Sequence, residues 1–301
     1  MTNVVFMGSP DFALPVLKEL TSHYNVVGVV TQPDRASGRG RERKAPPIKR
    51  LALELGLPVL QPEKLRLPEA MEQLHLWAPE LIVVAAFGQI LKKDVLDLPP
   101  LGCINVHASL LPRWRGAAPI NAAILHGDPE TGVTIMQMDV GLDTGPMLSQ
   151  RSIPLTQQDT AGSVFEKLSR LGADLLIETL PDYLSGKLTP TPQPEDGVTY
   201  APMLKKEEGQ LDFTYDVHEL ERRVRAFNPW PGAFIDLEGT PLKIHRARVQ
   251  AGEASMGQKL LYENQPAVGA RGGILVLEEV QPAGKKSMSG KSFLAGARKW
   301  A

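Results

Sequence analysis

Along the first two-thirds of the chain, short unbroken apolar runs take turns with stretches whose apolar positions recur every three or four residues. Residues 4–7 (VVFM) predict a buried strand, Gly8 a turn, Ser9 an N-cap, Pro10 the first helical position, and Asp11 an acid at the positive end of a helix reaching Leu20. Residues 26–31 predict a second strand, 48–55 a helix, 57–60 a short strand after Gly56, and 81–86 another fully apolar strand. This repeated β-then-α order predicts an α/β fold with a doubly wound, mostly parallel sheet.

Residues 101–107 (LGCINVH) alternate as a strand does, which sets Asn105 and His107, two positions apart, on one face. Pro112 and Gly116 bar regular continuation through 108–116, so the strand's C-terminal end meets a loop, the place where open α/β sheets bind ligands. Residues 119–125 then predict a short helix, 132–138 a strand, and 139–146 a loop with two aspartates among glycines. Thr160 predicts the cap of a helix whose Val164, Leu168, Leu171, Leu175 and Leu176 make a core-facing stripe.

The pattern changes after Gly186. Prolines crowd at 190, 192, 194 and 202 and the apolar period vanishes, which predicts a semi-rigid linker over 189–204 between a first domain at 1–188 and a second at 205–301. In the second, Asp216 opens a helix with Val217, Leu220, Val224 and Phe227 on one face, ended by Asn228-Pro229. Residues 233–237 and 241–249 about Glu238-Gly239-Thr240 predict a hairpin, and Val268 and 274–280 further strands, so this part is β-rich.

Length and charge agree with that division. A chain of 301 residues is comfortable as two domains with cores of their own. The net charge of -1 predicts no overall attraction to nucleic acid or membrane, so a polyanion must be met locally. Between Lys205 and Ala301 there are 15 Lys and Arg against 12 Asp and Glu, a surplus of 3 that the rest of the chain reverses. The single Cys103, the absence of metal-ligand spacings and the absence of an apolar run of spanning length lead us to expect a reducing, cytoplasmic setting, no metal and no membrane; a monomer is expected, though no pattern in the chain specifies it.

A second local concentration of charge lies between the second strand and its helix. A connection that usually takes about 2–6 residues here runs from Gln32 to Pro47, and from Arg35 to Lys44 it carries Arg35, Arg39, Arg41, Arg43 and Lys44 against Glu42. It reads either as an ordinary solvated loop or as an arm that meets phosphates.

Asn105 and His107 bring an oxyanion donor and a proton carrier together, the two functions needed when an amine attacks a carbonyl. A carboxylate such as Asp143 could orient the imidazole. The same pair also reads as ordinary satisfied polar groups at a strand end. Ser109 lacks the glycine-flanked elbow of serine hydrolases. Gly8-Ser9-Pro10-Asp11-Phe12 lacks the later glycines of a dinucleotide fingerprint.

Taken together, Asn105-x-His107, Ser109-Leu110-Leu111-Pro112, Arg113-x-Arg115-Gly116-Ala117-Ala118-Pro119 and Met138-Asp139-x-Gly141-Leu142-Asp143-Thr144-Gly145 resemble the formyltransferases that use 10-formyltetrahydrofolate. Gly38-Arg39-Gly40, Phe227-Asn228-Pro229-Trp230-Pro231 and Gln281-Pro282-Ala283-Gly284-Lys285-Lys286 extend the likeness toward the branch that acts on methionyl initiator tRNA. The resemblance implies a Rossmann-like catalytic domain, a C-terminal β-barrel domain of the oligonucleotide-binding (OB) type, and no bound dinucleotide. It implies Asn105, His107 and Asp143 as the catalytic trio. Folate would lie against Phe87, Gly88, Gln89, Ile90 and Leu91, against Ser109, Leu110, Leu111 and Pro112, and in the loop of Asp139, Val140, Gly141 and Leu142. The tRNA would meet Arg39 first, with Arg41, Arg43 and Lys44 in support, and Lys205, Lys206, Lys243, Arg246, Arg248, Lys285 and Lys286 on the tail. The active-site motifs are shared with aminosugar and purine-pathway formyltransferases, so they specify the reaction while the basic loop and the tail specify the acceptor. A non-catalytic RNA-binding protein would not need the trio.

Overall fold

A computed structural model of the chain describes residues 2–37, 42–296 and 300. The chain opens with β1 (Asn3–Gly8), α1 (Leu14–His23), β2 (Asn25–Val30), β3 (Arg35–Ser37), β4 (Glu42–Lys44), α2 (Pro47–Glu54), β5 (Val59–Leu60), α3 (Pro68–Trp77), β6 (Leu81–Ala85), α4 (Lys93–Leu96) and β7 (Cys103–His107). There follow β8 (Arg115–Gly116), α5 (Pro119–His126), β9 (Glu130–Gln137), β10 (Met147–Pro154), α6 (Ala161–Leu184) and β11 (Tyr200–Ala201). The last part holds α7 (Val217–Ala226), β12 (Ala233–Leu237), β13 (Thr240–Gln250), β14 (Lys259–Tyr262), β15 (Gln265–Ala270), β16 (Gly273–Pro282), β17 (Met288–Ser289) and α8 (Gly290–Gly296).

Two compact units result. The first takes Met1–Gly116, Thr131–Ile153 and Phe165–Tyr200. The second takes Ala117–Glu130, Pro154–Val164 and Ala201–Ala301.

The first unit is built on a seven-stranded sheet ordered β10-β9-β7-β6-β1-β2-β5. β1 pairs in parallel with both β2 and β6, β6 with β7 and β2 with β5, while β9 runs antiparallel to β7. The chain winds outward from β1 to β5 and then returns to β6 on the other side of β1, a Rossmann-like, doubly wound arrangement. Its switch point lies between β1 and β6, so the strand ends at Gly8 and Ala85 border the crevice where such sheets bind ligands. The apolar runs explain this: Val4, Val5, Phe6, Met7, Leu81, Ile82 and Val83 are all fully buried, as strands covered on both faces require.

Ser9 does not cap the first helix. Pro10 precedes a 3-10 turn at Asp11–Ala13, and α1 begins only at Leu14. The Ser9 hydroxyl is engaged across the sheet end instead. It accepts from Gln32 N at 3.1 Å and donates to Phe87 O at 3.3 Å. A hydroxyl between two crossing loops satisfies their buried polar groups, a stronger claim on it than a cap that proline's fixed φ already makes unnecessary.

The second unit carries an antiparallel sheet ordered β12-β13-β16-β15-β14, with β17 on β16. The β12–β13 hairpin turns at Glu238 and Gly239, both left-handed at φ 52° and 82°, the pair of positive angles that a two-residue hairpin turn needs. Asp216 caps α7 by accepting from His218 N at 2.9 Å. Val217, Leu220, Val224 and Phe227 are all buried, so the sequence stripe is the packed face.

Candidate active site

The site grows from the C-terminal end of β7. Asn105 lies opposite Val84 on β6 and Met136 on β9, and His107 lies opposite Thr134, so both side chains leave the same face of a central strand. His107 is 5% exposed. Its Nε2 lies 3.0 Å from the Trp114 carbonyl oxygen. A carbonyl has no proton to give, so Nε2 carries the hydrogen and Nδ1 is the nitrogen left for chemistry. Nδ1 faces Asp143, whose Oδ2 is 3.7 Å away. That separation is longer than a hydrogen bond and too short to admit another heavy atom on the line between the two. Asn105 is half-buried, and its amide makes no hydrogen bond among the described residues.

Asp143 is held by backbone. Its Oδ2 accepts from Gly116 N at 2.8 Å, and its own φ is 52°, a left-handed angle costly for a residue with a Cβ. The loop lies tight against β9: a Cβ at Gly145 would sit 1.9 Å from the Gln137 carbonyl oxygen, so only glycine fits. Asp139 closes the loop's near end, accepting from Gly141 N at 3.0 Å and Thr144 Oγ1 at 2.7 Å.

The loop after His107 is fixed by Thr134. Its hydroxyl donates to Ser109 O at 2.7 Å and accepts from Leu111 N at 3.1 Å and Gln150 Nε2 at 2.8 Å. Ser109 is fully buried and donates to Arg113 O at 2.7 Å, so its hydroxyl is structural.

The other segments named for folate divide by burial. Phe87 and Leu91 are core side chains, Gln89 ties down Leu65 N and Pro62 O, and Gly88 is left-handed at φ 80°, so a ligand there would meet backbone. Leu111 is buried as well, while Leu110 and Pro112 are half-buried. Ile90, Val140 and Leu142 are 77%, 73% and 57% exposed. Three uncovered apolar side chains on two loops could cover a flat, partly apolar ligand.

The segment from Gln32 to Pro47 forms a hairpin stem, β3 against β4, which its charge and glycine content concealed. Arg35 stands opposite Lys44, a like-charged cross-strand pair that is unfavourable unless an anion lies over it. Arg43 and Lys44 are exposed. Arg39 and Arg41 lie outside the described residues. Asp34 anchors the stem with Lys49 at 2.8 Å and Gln61 at 2.7 Å, and these bonds, Gln61 foremost, hold its carboxyl below the usual range.

On the tail, Lys205, Lys206, Lys243, Lys285 and Lys286 are exposed. Arg246 and Arg248 are differently placed. Arg246 pairs with Glu278 at 3.0 Å, and Arg248 pairs with Glu263 at 2.7 Å and stacks on Tyr262. Their charge is already balanced within the sheet.

Two residues at the site were not legible as such. Gln193 and Thr199 sit in the proline-rich stretch, which has no period to read. Thr199 accepts from Trp114 N through its hydroxyl and from Arg115 N through its carbonyl, both at 2.9 Å. Gln193 bonds to Arg115 and to the backbone of the Asp143 loop. Among the described residues, no three His, Cys, Asp or Glu side chains are grouped to hold a metal, and no helix is long and apolar enough to cross a membrane.

Comparison with known proteins follows the same two parts. Residues 2–180 match the formyl transferase family and residues 203–298 its C-terminal domain. The methionyl-tRNA formyltransferase of Myxococcus xanthus is 52% identical over 294 residues, covering 97% of this chain and 94% of that protein. The fold recurs in the solved structure of methionyl-tRNA formyltransferase from Clostridium thermocellum, with a TM-score of 0.61 at 18% identity over 94% of this chain and 99% of that one. It recurs also in Aquifex aeolicus HypX in complex with tetrahydrofolic acid, with a TM-score of 0.64 at 18% identity over 99% of this chain and 47% of that one. With both family segments matched in order and half of its residues shared along nearly its full length, the chain belongs to the methionyl-tRNA formyltransferase family.

Proposed function

We infer that this chain transfers the formyl group of 10-formyltetrahydrofolate to the α-amino group of methionyl initiator tRNA, giving formylmethionyl-tRNA for translation initiation. The observation that carries this reading is the convergence at the end of β7: an uncommitted Asn105 amide, and a His107 Nδ1 facing the Asp143 carboxylate. When bound, the folate supplies a formyl carbonyl carried on nitrogen. The Asn105 amide donates to the carbonyl oxygen as negative charge gathers there, a role in which one lost donor typically costs about 10²–10³ in rate. His107, its ring fixed by Trp114, adds a second donor at Nδ1 in the imidazolium form, in which both ring nitrogens carry a hydrogen. Asp143 receives the proton of the attacking amine through water and keeps the imidazole oriented; collapse of the oxyanion then breaks the bond between the formyl carbon and N10 of the folate, that nitrogen takes up the proton, and tetrahydrofolate leaves.

The uncovered Ile90, Val140 and Leu142, with backbone at Gly88 and Pro112, fit a ligand that is partly flat and apolar. Tetrahydrofolic acid is bound by the similarly folded HypX, in keeping with that assignment. Catalysis is assigned to the N-terminal part, and tRNA contact to the β3–β4 arm and to residues 205–301. The exposed lysines of the tail and the like-charged Arg35 and Lys44 support this. The unpaired Cys103 suits a cytoplasmic location.

The test is incubation of the purified chain with formyl-labelled 10-formyltetrahydrofolate and, separately, methionyl initiator tRNA, an amino-sugar nucleotide and an amine precursor of purines. Label should pass to the tRNA. Transfer to a small amine in preference to the tRNA, or binding of tRNA with no transfer, would contradict the reading.

A further inference from the structure

We propose that Gln193 is a positioning residue for formyl transfer: it sets Asp143 from behind, through the backbone. This rests on the role given to Asp143 above.

The chemistry of the neighbours fixes the direction of the carboxamide. Arg115 donates from Nε at 3.0 Å and from Nη2 at 2.7 Å to one acceptor, Gln193 Oε1. A guanidinium can only donate, so that end of the side chain is oxygen and the other is nitrogen. Nε2 then donates to Asp143 O at 2.7 Å and to Gly145 O at 2.8 Å. All four hydrogen-bonding positions of the amide are used. Arg115 is 9% exposed, so the bonds from its charged group are strong and polarise the amide toward firmer donation on the far side.

A closed circuit results. The Arg115 side chain, through Gln193, holds the carbonyl of Asp143, and the next residue, Gly116, holds the Asp143 carboxylate by its N–H at 2.8 Å. The residue before, Trp114, accepts from His107. Three consecutive residues therefore set both partners of the 3.7 Å His107–Asp143 approach. The proline-rich stretch reaches this point because Thr191 and Met147 exchange backbone bonds at 2.7 and 2.8 Å and Thr199 lies along Trp114 and Arg115. A left-handed Asp143 would relax without such a brace, and an error of about 1 Å in a catalytic group can cost 10²-fold.

The experiment compares Gln193→Glu and Gln193→Ala with wild type in formyl transfer to methionyl-tRNA, alone and with Asp143→Asn, with thermal melts to verify folding. Glutamate keeps the shape and strengthens the link to Arg115, but it cannot donate to the two carbonyls. Both single variants should lose about tenfold to a hundredfold in kcat with each KM within about twofold, and neither should lower the rate further once Asp143 is Asn. A Gln193→Glu enzyme with near-normal kcat, or losses that multiply with Asp143→Asn, would overturn the proposal while leaving the formyl-transfer reading intact. A wild-type chain inactive toward methionyl-tRNA would remove that reading and this role together.

Discussion

At His107 the tautomer follows from a single neighbour. The Trp114 carbonyl takes the Nε2 hydrogen, so the reactive nitrogen is the one facing Asp143. Cys103, four residues earlier on the same strand, is the opposite case. It is buried, with only weak contacts to Val95 O and Leu96 O. Burial, and after it the nearby Asp97, pushes its thiol up to about 12 from 9.0. A group whose folded value is raised contributes stability that is fully present below pH 9 and lost as pH rises toward about 12. The Cys103→Ala variant should therefore show a shallower fall in melting temperature across that interval than wild type. Parallel curves would show that the thiol does not titrate as its burial demands. Asn105 and His107 were readable as a pair from alternation alone. The company of Asp143 was implied by the resemblance and not by spacing, since 35 residues, among them β8, α5 and β9, lie between it and His107.

Among the elements, legibility tracked how far a segment's own composition decided its state. The fully apolar β1 and β6, the capped α7 and the β12–β13 hairpin lay within a residue or two of their expected bounds. Thr160 also behaves as expected, accepting from Ser163 N at 3.2 Å at the start of α6. The β3–β4 stem was hidden because its residues are charged and its pairing is set by the Asp34 anchor rather than by a buried face. Gln193 was hidden because a side chain acting on backbone carbonyls leaves no pattern. Replacing Arg43 and Lys44 on β4 by alanine should raise KM for methionyl-tRNA and reduce its salt slope by roughly one to two, with KM for the folate unchanged. Equal changes in both would place the stem at the folate site instead. Arg39→Ala should likewise lower kcat/KM for tRNA more than it weakens folate binding.

For the whole molecule, the division of labour is electrostatic. The tail's surplus of 3 positive charges sits on a chain of net charge -1, so attraction to tRNA is local and screened. kcat/KM for tRNA should fall steeply between about 50 and 200 mM salt, roughly in proportion to the number of phosphates contacted. The rate at saturating substrates should barely move. A salt-independent kcat/KM would argue against phosphate contacts by the arm and the tail.

The most direct test is the single-turnover rate of formyl transfer, with both substrates saturating, in wild type, Asn105→Ala and His107→Ala. Each substitution should slow the step by about 10²-fold or more while the protein still binds folate and tRNA. Near-normal rates in either variant would contradict the account.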